Sequence, residues 1–176
     1  WLAVQDSVQR GTLSIVDNAN LIRKPNFPAS LLPIHIVISN LITEMIGLAI
    51  LIVLVMLWGK GVGWKTLALP LVLVPQILFT FGICWGLASL QVLFRDIAPL
   101  LSSFVMLWMF MTPIFYPSAI FPKHFGIILA LNPMAHIVDI YRELIMKNAW
   151  PEPGSIATLY ILSIVTFYAG YYVYVR

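Results

Sequence analysis

The stretch Thr66–Phe94, TLALPLVLVPQILFTFGICWGLASLQVLF, decides how this chain is read: 29 consecutive residues carry no charge, and Lys65 and Arg95 bound them. A helix needs about 20 mostly apolar residues to cross a bilayer core of about 30 Å. Inside lipid the backbone must pair its own N–H and C=O groups, which leaves a helix as the reading of such a run. Working outward, Lys24 and Glu44 enclose 19 uncharged residues, Glu44 and Lys60 another 15, Asp96 and Lys123 26, and Glu152 and Arg176 23. The alternation expected of a membrane β-barrel is absent from the sequence. Across all 176 residues, 61% are hydrophobic and 10% charged, against about 45–50% and 25% in soluble domains. An ordinary soluble enzyme, a disordered chain and a nucleic-acid binder are thereby excluded, despite a net charge of +3. Cys84 is the single cysteine, which excludes a disulfide framework.

The expected fold is an all-α integral membrane bundle forming one transmembrane domain over 1–176. Four spans are expected at 33–58, 66–93, 97–117 and 155–175. The first 22 residues carry Gln5, Asp6, Gln9, Arg10, Asp17 and Asn18, more polar groups than a lipid-facing helix tolerates. They read as the lower half of an earlier helix lining something wet, or as an interfacial helix. The start at Trp1, without a signal pattern, adds the expectation of a chain truncated at both termini. Arg23-Lys24-Pro25-Asn26-Phe27-Pro28 is basic and broken by proline. Gly59–Lys65 is a glycine turn; it lacks the Gly-Lys-Ser/Thr order of a phosphate loop.

The connection 118–154 reads as two short helices on, or dipping into, one membrane face. Asn132 is a good N-cap, and Pro133 suits the first helical position. Met134, Ile137, Val138, Tyr141, Leu144 and Ile145 then form one apolar face. His136, Asp139, Arg142, Glu143 and Lys147 lie outside it, and Asn148 and Pro151 supply the stop. The positive charges divide five against five between the two faces, so they leave orientation open.

Within the spans Glu44 is the only carboxylate well inside. With Asn40, Thr43 and Gly47 it forms a polar, small-residue stripe. Intramembrane ionisable groups usually face a bundle interior or a wet path, so a structural helix contact and a lining or gating role both fit. Phe104, Trp108 and Phe115 share one stripe, and Tyr160 and Phe167 belong to another. Such aromatics either pack helices and mark the interface or line a conduit. His35, His124 and His136 show no metal spacing, no Gly-x-Ser-x-Gly turn exists, and neither a resident cofactor nor a metal is expected.

Three stretches together resemble a known family. Asn20-Leu21-Ile22-Arg23-Lys24, with Phe27-Pro28 and Leu32-Pro33, is similar to the loop entering a span in type-2 ABC export permeases. Leu93-Phe94-Arg95-Asp96-Ile97 resembles their short loop before the next span. Thr112-Pro113-Ile114-Phe115-Tyr116-Pro117, then Leu131-Asn132-Pro133-Met134 and Tyr141-Arg142, resembles their exit-side region. The likeness is greatest to permeases for O-antigen, teichoic acid and other lipid-linked polysaccharides.

The resemblance implies six spans per permease, a homodimer around a conduit, and a separate nucleotide-binding ATPase subunit that holds ATP and Mg. It implies a multi-pass protein of the bacterial cytoplasmic (inner) membrane that is not itself an enzyme. The coupling loops would be Arg23, Lys24 and Phe27, and Arg95 and Asp96, on the cytoplasmic side. The helices of 118–154, with His136, Asp139 and Arg142, would be extracytoplasmic. Asn40, Glu44, Phe104, Trp108, Phe115, Tyr160 and Phe167 are the candidates for the conduit lining. The expected partners are a second copy, the ATPase, a lipid-linked glycan and membrane lipids, with no nucleic acid. The rival readings are an export permease for drugs or small lipids, a multispan enzyme on lipid-linked sugars, and a pure membrane anchor.

Overall fold

A computed structural model of the chain describes residues 1–22, 28–58, 63–116 and 126–176. Among them the order is α1 (Leu2–Asp17), α2 (Ala19–Ile22), α3 (Leu31–Leu57), a 3-10 turn (Trp64–Ala68), α4 (Pro70–Leu93), α5 (Ile97–Met111), α6 (Gly126–Ala130), α7 (Pro133–Tyr141), a π-helical turn (Arg142–Met146) and α8 (Pro153–Val175). No strand occurs among the described residues. The protein is a polytopic helical membrane protein. Leu31–Leu57, Trp64–Leu93 and Pro153–Val175 are long and apolar enough to cross a bilayer.

Of the segment expected as a span at 97–117, the described residues are helical only over Ile97–Met111, and Pro117 lies outside them. Fifteen residues reach about 22 Å at 1.5 Å rise each, short of the roughly 30 Å core. Proline supplies the cause. Pro113 disfavours the helical region for the residue before it, and Thr112 is extended, with φ −92° and ψ 132°.

Helix α4 is the spine, packed along α8 over its greatest contact and against α1 and α3. Glycine sets the closest crossing. A Cβ on Gly82 would overlap the α8 backbone at Thr166, and one on Gly170 would overlap the Gly82 carbonyl. Gly82 and Gly86 form the small-xxx-small spacing that lets membrane helices approach backbone to backbone. This signal was present in the sequence and went unread.

Helix α1 turns one face into the bundle and borders a groove with Asp6 near its start. Ser7, Gly11, Thr12 and Ser14 are buried, facing α3 and α4. Cys84 Sγ donates to the Ser7 carbonyl at 3.2 Å, and Thr12 Oγ1 donates to the Val8 carbonyl at 2.7 Å. These short polar side chains are packing groups, and only Arg10 and Asp17 of the charged or amide residues there are exposed.

The ends of the bundle are distinct. At one end Thr66 Oγ1 donates to the Leu144 carbonyl at 3.4 Å, and Trp64 meets Trp150 edge-on at 5.4 Å. The start of α4 and the π-helical turn therefore lie together. Asn148 closes that turn at φ 47°, a left-handed conformation Asn tolerates better than most residues. The Phe94–Asp96 turn lies at the other end of α4.

Candidate functional site

Glu44 sits near the centre of α3, a helix whose outer face is otherwise exposed and apolar. Its carboxylate is not alone. Gln76 Nε2, from α4, donates to both carboxylate oxygens at 2.7 Å. Gln76 Oε1 in turn accepts from Tyr141 Oη of α7 at 3.1 Å. One amide thus ties a span, its neighbour and a short helix. Gln76 is buried, and its place inside the uncharged run of α4 hid it from the sequence reading. Burial first, then the Glu44 charge and hydrogen bonding to Glu44, push the Tyr141 phenol above its ordinary range. It stays protonated and remains a donor.

One turn earlier on α3, Asn40 Nδ2 donates to Ser7 Oγ of α1 at 3.0 Å. Asn40, Thr43, Glu44 and Gly47 line a groove of about 800 Å³ that also borders Asp6, Tyr141 and Arg142, with apolar walls from Leu48, Leu51, Val138 and Ile145. A mostly apolar cleft with a few convergent polar groups is the usual form of a ligand site.

The motifs quoted from the third helix onward meet in space. Trp108 Nε1 donates to Asn132 Oδ1 at 3.0 Å, and Asn132 Nδ2 donates to Thr112 Oγ1 at 3.0 Å. The same Oδ1 accepts the Met134 backbone N–H at 3.1 Å, the expected N-cap bond. Arg142 reaches back to the turn that leaves α5. Its Nη2 donates to the Ile114 carbonyl at 2.6 Å, and its Nη1 to the Tyr116 carbonyl at 3.3 Å and to Asp139 at 3.5 Å. Arg142 is half-buried and clamps the Thr112–Tyr116 segment. The sequence reading of a polar face presented by His136, Asp139 and Arg142 captured the residues and not this partner. His136 Nε2 donates to the Ala130 carbonyl at 3.0 Å, so histidine and aspartate are engaged separately rather than as a pair.

The aromatic candidates do not join the polar stripe. Phe104 and Trp108 border a second groove of about 660 Å³ with Phe79, Leu131 and Leu162. Trp108 meets Trp1 edge-on at 5.3 Å and Phe79 at 6.0 Å. Phe115 is exposed beyond α5, and Tyr160 is half-buried on α8. Phe167 lies on Trp85 at 5.4 Å, at the contact of α8 with α4. Asn40 and Glu44 therefore line one groove, Phe104 and Trp108 another, and Phe167 a helix seam.

Of the coupling-loop residues, Arg23, Lys24 and Phe27 lie outside the described residues. Arg95 and Asp96 are exposed in the turn between α4 and α5. Buried Gln91 staples this turn: its Nε2 donates to the Arg95 carbonyl at 3.0 Å, and its Oε1 accepts the Ala98 N–H at 2.8 Å. Gln91 was not singled out in the sequence, because its partners lie beyond the helix end.

Comparison with known proteins bears on what such a bundle does. The family model described as ABC-2 type transporter matches residues 1–146. The O-antigen export system permease protein RfbA of Myxococcus xanthus is 31% identical over 172 residues, which cover 97% of this chain and 66% of that protein. Two proteins of the same description from Klebsiella pneumoniae are 28% and 29% identical over the same shares. The chain thus spans just under two thirds of the length of these relatives.

Proposed function

Because the chain belongs to the ABC-2 type transporter family, we propose that it forms the membrane-spanning part of a permease that exports a lipid-linked polysaccharide of the O-antigen kind. The observation that carries this reading is the groove at Glu44. It sets a carboxylate, an amide and a hydroxyl in an apolar wall at the middle of a membrane-length helix, where a charge without a functional partner is costly. The similarity to O-antigen export permeases along 97% of the chain supports the substrate assignment.

Transport, on this reading, is done by two copies around a conduit in the bacterial cytoplasmic membrane. ATP with Mg is bound and hydrolysed on a separate nucleotide-binding subunit. That subunit bears on the Arg23–Phe27 loop and on Arg95 and Asp96. The Gln91 staple supports the second contact, because a turn held to the backbone on both sides moves α4 and α5 as one. The groove between α1, α3 and α7 then admits sugars, and lateral opening between the copies leaves the lipid carrier in the bilayer. The helices of 118–154 lie on the extracytoplasmic side, where Arg142 and Asn132 hold the exit segment Thr112–Tyr116. Phe104 and Trp108 line a second, apolar surface that suits sugar faces or acyl chains.

Co-purification tests the assignment. The full-length protein is expected to bring down a nucleotide-binding subunit in equal amount, and a lipid-linked glycan is expected to stimulate that pair's ATP hydrolysis. A permease that purifies alone and leaves added ATPase unresponsive to glycan contradicts it.

A further inference from the structure

The hydrogen bonding around the Glu44 groove is lopsided in a way that specifies its ligand. Most of its donors are already engaged within the protein. Gln76 gives its amide hydrogens to Glu44, Tyr141 gives its hydroxyl hydrogen to Gln76, and Asn40 bonds Ser7. Thr43 Oγ1 donates to the Ser39 carbonyl at 3.3 Å. Arg142 spends three of its five N–H groups on the Ile114 and Tyr116 carbonyls and on Asp139.

Acceptors remain. An ionised carboxylate offers about four lone-pair sites, and Gln76 takes two of Glu44's while Tyr141 also bonds it. The Thr43 oxygen and Asn40 Oδ1 accept nothing further among the described bonds. Asp6 adds a second carboxylate on the same groove, with one oxygen ion-paired to Arg10 at 3.1 Å. At Glu44 a ligand has to bring hydrogen-bond donors, and a phosphate or carboxylate brings only acceptors and a like charge there. The apolar remainder of the wall suits the C–H faces of sugar rings. The volume of about 800 Å³ lies within the roughly 300–1,000 Å³ of small-ligand sites, enough for a short stretch of polymer at a time.

We propose that this groove selects an uncharged polyhydroxy chain, accepting its hydroxyl hydrogens at Glu44, Thr43 and Asn40, and rejects polymers that carry a phosphate or carboxylate in each repeat. The inference rests on the export reading and narrows its substrate class. Gln76 is the positioning residue that presents the carboxylate.

The test uses the full-length protein with its ATPase in proteoliposomes and two substrates on the same polyprenyl diphosphate carrier. One bears a neutral hexose polymer and the other a glycerol-phosphate polymer of matched length. The neutral substrate is expected to reach half-maximal stimulation of ATP hydrolysis at a concentration at least roughly tenfold lower, since like charges set against each other are strongly disfavoured. Glu44→Gln keeps the shape and is expected to narrow the ratio to about threefold or less. Thr43→Lys, at an exposed position on the groove wall, is expected to reverse it. Each variant is measured on both substrates, so a general loss of folded protein leaves the ratio intact. Equal responses from the unaltered protein, a preference for the phosphate polymer, or a ratio unchanged in both variants overturns this inference and leaves export standing. No response to either polymer overturns the export reading, and this inference with it.

Discussion

Asn132 spends every polar atom of its side chain, accepting from Trp108 and Met134 and donating to Thr112. Replacing it with alanine removes an N-cap and strands the half-buried Trp108 indole N–H. The expected loss is about 1–3 kcal/mol, read as a lower unfolding temperature in detergent; Asn132→Asp, which keeps the cap, is expected to lose less. Arg142→Lys is expected to free the Ile114 and Tyr116 carbonyls, because an ammonium lacks the guanidinium fork. Faster amide exchange across 112–116 is the readout, and unchanged exchange contradicts the clamp. The cap was legible because Asn-Pro before an apolar stripe is a local signal. The bonds from Asn132 to Trp108 and Thr112 were not, since their partners lie 24 and 20 residues away. Glu44 likewise announced itself as the lone carboxylate in a span, while Gln76 looked like one polar residue in an apolar run.

Helix length and helix contact were legible to different degrees. Charge-free runs marked α3, α4 and α8, because lipid tolerates few charges along a span. They overextended α5, since Thr112-Pro113 ends a helix without adding charge. Contact between helices depends on small residues that hydropathy ignores. Gly82→Ala and Gly170→Ala are expected to push α4 and α8 apart, at a cost of about 1–3 kcal/mol each from overpacking. Gly47→Ala, where an added Cβ meets nothing within 4 Å, is expected to be neutral or stabilising by up to about 1 kcal/mol. Thermal unfolding of the detergent-solubilised variants checks both, and equal effects at the three positions contradict glycine-set packing. Gln91→Ala loosens the turn carrying Arg95 and Asp96. Glycan-stimulated ATP hydrolysis is expected to fall several-fold at about 1–2 kcal/mol of lost restraint, while basal hydrolysis by the ATPase stays as it was.

At the scale of the molecule, periodicity told which residues share a face and not what that face meets. The polar and aromatic stripes, read as one lining, are divided between two grooves and a helix seam, because α1 packs between α3 and α4 while α8 runs along α4 and carries α7 against it. The short polar side chains of α1 pose the same ambiguity: in lipid, serine and threonine serve helix contacts as readily as a wet surface. On the proposed reading a sugar chain moves past Glu44, driven from outside the chain. Sealed proteoliposomes containing the full-length permease and its ATPase, loaded with a lipid-linked neutral glycan, test that most directly. With the ATPase facing outward, ATP is expected to move the sugar part to the interior, where only an enclosed glycosidase reaches it, and Glu44→Gln is expected to slow that appearance. Glycan that reaches the interior equally without ATP, or never reaches it, contradicts the account.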